Sequence, residues 1–143
     1  MPPSSSRIPR RGEIWLVTHD LDDHAAYGRP HLVISAPIVA DFADELVVIP
    51  IWTNAPDAPT RVRLRAGTGG IRHDSVLMCD QLVRIDQLFV VGRAALGPLV
   101  SMDILKEAMY GVRLALGEPE LVIEADRQRA QQERQPPTGR TRP

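Results

Sequence analysis

Glu45-Leu46-Val47-Val48-Ile49-Pro50-Ile51 is apolar at nearly every position, with neither the alternation of a half-exposed strand nor the spacing of a surface helix. It reads as a strand buried on both faces and therefore central in its sheet. Extended by Trp52, the run can cross a sheet but is too short for a bilayer. Upstream, Glu13-Ile14-Trp15-Leu16-Val17-Thr18 follows a glycine and is β-rich, and Pro30-His31-Leu32-Val33-Ile34-Ser35 reads as a second strand. The polar segment Asp20–Gly28, with three Asp and His24, joins them, and Pro37–Asp44 reads as a short helix or turn. Downstream, Thr60-Arg61-Val62-Arg63-Leu64-Arg65 alternates, with Val62 and Leu64 on one face and Arg61, Arg63 and Arg65 on the other. A Gly67–Gly70 loop, short strands at Ser75–Cys79 and Leu82–Ile85, and a last strand at Phe89–Ala94 follow.

One helix is signalled late in the chain. Ser101 suits its N-cap, and Asp103 sits in its first turn, where the helix dipole favours a carboxylate. Leu105, Ala108, Val112 and Leu116 form an apolar stripe, and Gly117 with Pro119 beyond it stops the helix. Many short strands plus one C-terminal helix predict a mainly β protein, a small and strongly curved β-barrel. Residues 1–9 are Pro/Ser-rich and expected to be flexible, residues 10–117 form the domain, and residues 118–143 form a polar, partly disordered tail in which Leu121–Gln135 can be helical.

The 143 residues suffice for one domain with a core of its own. A single cysteine, Cys79, excludes an intrachain disulfide framework and a cysteine-based zinc site, and small buried packing is its expected role. His19, His24, His31 and His73 are not spaced as metal ligands. The N-terminus shows no apolar signal core, which fits a cytoplasmic protein. A net charge of −1 does not announce a nucleic-acid partner, so that argument rests on local patches.

Several segments, in order, resemble the PemK/MazF toxin family. They are Arg11-Gly12-Glu13-Ile14-Trp15-Leu16-Val17, Gly28-Arg29-Pro30-His31-Leu32-Val33-Ile34-Ser35, Val47-Val48-Ile49-Pro50-Ile51, and Asp74-Ser75-Val76-Leu77-Met78-Cys79-Asp80-Gln81. Ile85-Asp86 and the helix ending at Leu116-Gly117 extend the resemblance over residues 10–117. It implies an SH3-like barrel and a homodimer. It also implies a sequence-specific endoribonuclease that cuts single-stranded RNA without metal or cofactor, leaving a 2′,3′-cyclic phosphate. The implied partner is an antitoxin whose disordered tail blocks the RNA groove. No membrane is involved.

Cutting RNA without a metal needs a base for the ribose 2′-OH, a donor for the charged phosphorane and an acid for the leaving 5′-oxygen. Arg29 matches the family's functional arginine, and its planar fork suits phosphate; an ion pair with the acidic loop is the structural alternative. Asp80 matches a position proposed as base in some members, and otherwise caps a turn. Its neighbour Gln81 reads as a structural amide. His24 lies where some members carry a histidine near the site; it is a base or acid candidate, or an idle loop residue. Glu13 matches a residue near bound RNA and is otherwise an exposed strand-edge carboxylate.

The chain also departs from the family pattern. Ala25-Ala26 stand where many members have Glu-Gln, and Met78 stands where some have Arg. Trp52 takes the usual place of a threonine, with Thr53 one residue late. From a loop Thr53 still reaches a phosphate, and Trp52 is either a stacking platform or core or dimer packing. Arg61, Arg63 and Arg65 form the one concentrated basic stripe, with no acid from Arg61 through His73. The stripe suits an RNA backbone, or equally a solvated edge that blocks strand pairing; His73 is an RNA contact or a plain surface residue. Two further readings stay open: a catalytically weakened dimeric module that binds antitoxin or RNA, and an unrelated barrel adaptor.

Overall fold

A computed structural model of the chain describes residues 8–18 and 28–134. The elements, in chain order, are β1 (Ile14–Val17), β2 (Arg29–Val33), α1 (Pro37–Ala43), β3 (Glu45–Trp52), β4 (Arg61–Leu64), β5 (Ser75–Met78), β6 (Val83–Asp86), β7 (Val90–Val91), α2 (Met102–Ala115) and α3 (Pro119–Arg134). Expectations for residues 1–7, for the acidic segment at 19–27 with His24, and for residues 135–143 lie outside the described residues.

β3 is the hub. One edge pairs with β2, Leu32 facing Ile49 and Val33 facing Val48. Its other edge takes two strands in succession: β6 along Glu45–Val48 and β5 at Ile51 and Trp52. Between them the chain makes a 3-10 turn at Cys79–Gln81. That interruption explains a proline inside a central strand. The Ile34 N–H bonds Val47 O, so by antiparallel alternation Ile49 bonds β2 and the Pro50 nitrogen faces the other edge. There the turn leaves no ladder partner for a missing N–H to disappoint.

All pairings are antiparallel, in the order β4-β5-β3-β2-β1-β7 with β6 also on β3. The seven-stranded sheet is barrel-like but open, since β4 and β7 do not pair with each other. Alternation along the inner strands fills two apolar clusters. Ile14, Leu32, Ile34, Ile49, Ile51, Leu64 and Leu77 pack with Ala108 and Val112 of α2. Trp15, Val17, Val33, Leu46, Val48 and Ile85 form the other cluster. The third strand is therefore buried on both faces, as its composition predicts.

α2 is capped by Ser101, whose Oγ accepts from the Ile104 N–H at 3.2 Å. Its helix lies so close to the Cys79–Gln81 turn that a Cβ at Gly111 would sit 2.9 Å from the Cys79 Sγ. A residue that costs helix stability is used there because nothing larger fits. Cys79 is fully buried, and that burial pushes its thiol up to about 12, an inert packing group.

The helix expected around Leu121–Gln135 is present as α3, which Pro119 starts just beyond the Gly117 stop. Three expectations need correction. Leu116 is outside α2 and 71% exposed, so the apolar stripe ends at Val112. Cys79 belongs to a turn rather than to β5. The last strand is only Val90–Val91, the residues that pair in register with Val17 and Leu16 of β1.

Candidate nucleic-acid groove

Arg29 opens β2 opposite Val17 of β1 and is exposed. Two residues on, the buried His31 ring turns back and its Nδ1–H donates to Arg29 O at 2.7 Å. The backbone of Arg29 is thus held by a strand pairing and a side chain, while its guanidinium faces outward. At the far end of β3 the last strand residue is Trp52, opposite Val76 and 39% exposed. Thr53 and Asn54 follow in an exposed bend.

The pairing of β2 with β3 brings these ends together. Arg29, Pro30, Ile51, Trp52, Thr53 and Asn54 line one cavity of ≈ 320 Å³. Thr53 and Asn54 also border a second cavity of ≈ 530 Å³, with Arg63, Arg65, Asp74 and Ser75 on its other walls. The two cavities share Thr53 and Asn54, with Arg29 and Trp52 lining the first and Arg63 and Arg65 the second. Trp52 is not a core residue. Asn54 was not singled out by the sequence; its position directly after Thr53 was the one available signal.

The other candidates lie elsewhere. Glu13 is 2% exposed rather than an open edge carboxylate. Its Oε1 accepts from the Arg10 N–H at 2.7 Å, while its own N–H bonds Arg10 O, closing a reciprocal turn. Asp80 lies in the Cys79–Gln81 turn and faces Arg61, with Nε to Oδ1 at 3.2 Å and a second guanidinium nitrogen to Oδ2 at 3.3 Å. Burial is the largest single influence and raises the Asp80 carboxyl, but the hydrogen bond from Arg61, backbone bonding, the guanidinium charge and a hydrogen bond from Thr60 together outweigh it, so the carboxyl titrates below the ordinary 3.8. Gln81 is exposed in the same turn, and His73 is exposed beside Asp74 without lining the groove.

Two of the three stripe arginines meet carboxylates from outside the stripe. Its sequence holds no acid, but folding supplies two. Arg63 is paired bidentately with Asp57, at 2.9 and 2.6 Å, and Arg61 with Asp80. The hydrogen bond from Arg63 pulls the Asp57 carboxyl below its ordinary value.

Solved structures share this architecture. An endoribonuclease from a mycobacterial species, in complex with its cognate antitoxin, superposes with TM-score 0.63 at 17% identity, over 78% of this chain and 98% of that one. A MazE-MazF complex from Deinococcus radiodurans gives 0.63 at 21% identity, over 78% and 98%. The Mycobacterium tuberculosis toxin MazF-mt6 gives 0.59 at 22%, over 73% and 95%. Identities this low establish a common fold. The family itself comes from sequence: the model of the PemK-like, MazF-like toxin of type II toxin-antitoxin systems matches residues 10–112. The chain belongs to that family. No curated protein matches it. α3 lies wholly beyond the matched residues. Among the described residues no helix is long and apolar enough to cross a membrane.

Proposed function

We propose that this toxin-family chain is a cytoplasmic, metal-independent endoribonuclease that cuts single-stranded RNA at the groove between Arg29 and Thr53. The observation that carries this reading is the shared cavity of Arg29, Trp52 and Thr53, three groups suited to a phosphate, a base and a phosphate oxygen. The ribose 2′-oxygen attacks phosphorus, the bond to the 5′-oxygen breaks, and the products carry a 2′,3′-cyclic phosphate and a 5′-hydroxyl. A base takes the 2′-OH proton, and an acid returns one to the departing 5′-oxygen. Arg29 meets the charge that develops on the phosphorane, where a fixed donor acts most strongly. Thr53 donates to a second phosphate oxygen, Trp52 stacks a flanking base, and Arg65 meets the backbone further along.

Asp80 is a poor base in this arrangement, because its carboxylate is engaged by Arg61 and its proton affinity is lowered. His24, five residues before Arg29 in the chain, supplies an imidazole that ordinarily titrates near neutrality and is the better candidate. A homodimer and an antitoxin that covers the groove complete the reading. The relatives solved with an antitoxin, a mycobacterial endoribonuclease and the MazE-MazF complex, support the second of these.

A single 2′-deoxy nucleotide at the scissile position of an otherwise cleaved RNA tests the chemistry. Cleavage there stops if the 2′-oxygen is the nucleophile, and continued cleavage at that bond overturns the mechanism. A weakened binding module is favoured by one observation: Met78, standing where some relatives have arginine, is 1% exposed and gives the groove no charge.

A further inference from the structure

The segment Thr53–Thr60 joins β3 to β4 and begins with Thr53 and Asn54, which line both cavities. It is held from one side by two arginines. Arg61 donates from one guanidinium nitrogen to Pro56 O at 2.9 Å while its Nε and other nitrogen hold Asp80. Its backbone N–H also closes a turn on Ala58 O at 3.0 Å. Arg63 grips Asp57 with both ends of its fork. Together, Arg61 binds the connection to β4 and to the Cys79–Gln81 turn, and Arg63 binds it one strand position further along. Pro56 and Pro59 stiffen the same segment.

We propose that Arg61 and Arg63 are positioning residues. They hold the connection so that Thr53 and Asn54 face Arg29, and they do not themselves take the substrate phosphate. The inference rests on the nuclease reading for its kinetic consequences but not for the clamp. Three observations favour it over direct phosphate contact. Arg61 has only 17% of its side chain exposed, and Asp80 and Pro56 O occupy its fork. In the exposed Arg63–Asp57 pair both carboxylate oxygens engage the guanidinium fork, so a phosphate would first have to displace a bidentate carboxylate. Of the three arginines in the stripe, Arg65 is the one left to face the second cavity without a carboxylate gripping its fork among the described residues.

A charge swap separates the two roles. Arg63→Asp and Asp57→Arg each break the pair, whereas the double variant restores it in reverse. Both arms are read in the full-length protein: peptide-level hydrogen exchange across residues 53–61 without RNA, and kcat and KM on a cleaved RNA. Each single variant is expected to speed exchange in that segment. Each should also lower kcat by about tenfold with KM little changed, as misplacement of reacting groups does. The double variant should return exchange and kcat to within about threefold of wild type, the coupling expected of residues in direct contact. Arg61→Lys keeps the charge but cannot span Asp80 and Pro56 O together, so it should be as impaired as Arg61→Gln. A swap as defective as Arg63→Asp, or an Arg61→Lys that rescues cleavage, would assign the arginines to phosphate contact and overturn the proposal. Unchanged exchange in the single variants would also overturn it. If the wild-type protein cleaves no RNA, the nuclease reading fails, while the exchange arm still decides the clamp.

Discussion

Arg29 owes its place to backbone contacts that its side chain does not share. The β1 pairing and the His31 hydrogen bond persist when the guanidinium is removed. Arg29→Ala is therefore expected to lower cleavage at least tenfold, since loss of one transition-state donor typically costs ~2–4 kcal/mol. Its thermal midpoint should match wild type, as for most exposed substitutions. A parallel loss of stability would instead make Arg29 structural. Asp80 gives a pH prediction. Its folded-state carboxyl titrates below 3.8, so its ion pair with Arg61 stabilises the fold above that value. The contribution fades as pH falls through the still lower folded value. Asp80→Asn should thus be less stable than wild type at pH 7, and the gap should narrow when the pH is taken well below 3.8. An equal gap at both pH values would remove the ion pair as its cause. At this scale the positions of Arg29, at a loop-to-strand junction, and of Thr53, just past a strand end, were legible in the sequence. The partners of Arg61 and Arg63 were not, because Asp80 arrives from a turn interrupting a different strand pair. Glu13 misled for the opposite reason: a charged residue at a strand start looks exposed, and only the reciprocal turn with Arg10 shows why it is not.

At the scale of elements, period-two alternation located most strands, and the unbroken apolar run identified β3 as central. What alternation does not encode is where pairing is interrupted. The Cys79–Gln81 turn separates β5 from β6 because two strands share one edge of β3, a long-range arrangement with no local signature. The same blindness let the helical stripe run on to Leu116, although α2 leaves the sheet after Val112. α2 and that turn are coupled through Gly111. Gly111→Ala would ordinarily stabilise a helix. Here the added methyl meets Cys79 Cβ and Sγ at 2.9 Å and Thr60 O at 3.1 Å, so overpacking should dominate. The expected result is a loss of ~1–3 kcal/mol in denaturant unfolding. A more stable variant would mean that the helix and turn separate easily. Thr60 ends the Thr53–Thr60 connection that Arg61 holds, so cleavage should also fall in this variant.

For the whole molecule, several large apolar residues outside the groove stand exposed, among them Ile8, Ile38, Phe42 and Leu88. Ile8 and Leu88 border one cavity, and Ile8 borders another with Pro37 at the start of α1. On α1 itself Ile38 and Phe42 stand exposed, Phe42 by 84%. An apolar collection of this kind suits contact with another chain. The proposed homodimer should sediment as such at micromolar concentration, with Phe42→Glu shifting it toward monomer; a wild-type monomer at that concentration contradicts it. The central claim is that the groove cuts RNA by its own side chains. Long single-stranded RNA incubated with the purified protein in EDTA, followed by mapping of the new ends, tests it most directly. Discrete cuts at a recurrent short sequence are expected, each leaving a 2′,3′-cyclic phosphate, and almost none with Arg29→Ala. Intact RNA with the wild-type protein, or cuts equally frequent with Arg29→Ala, would contradict it.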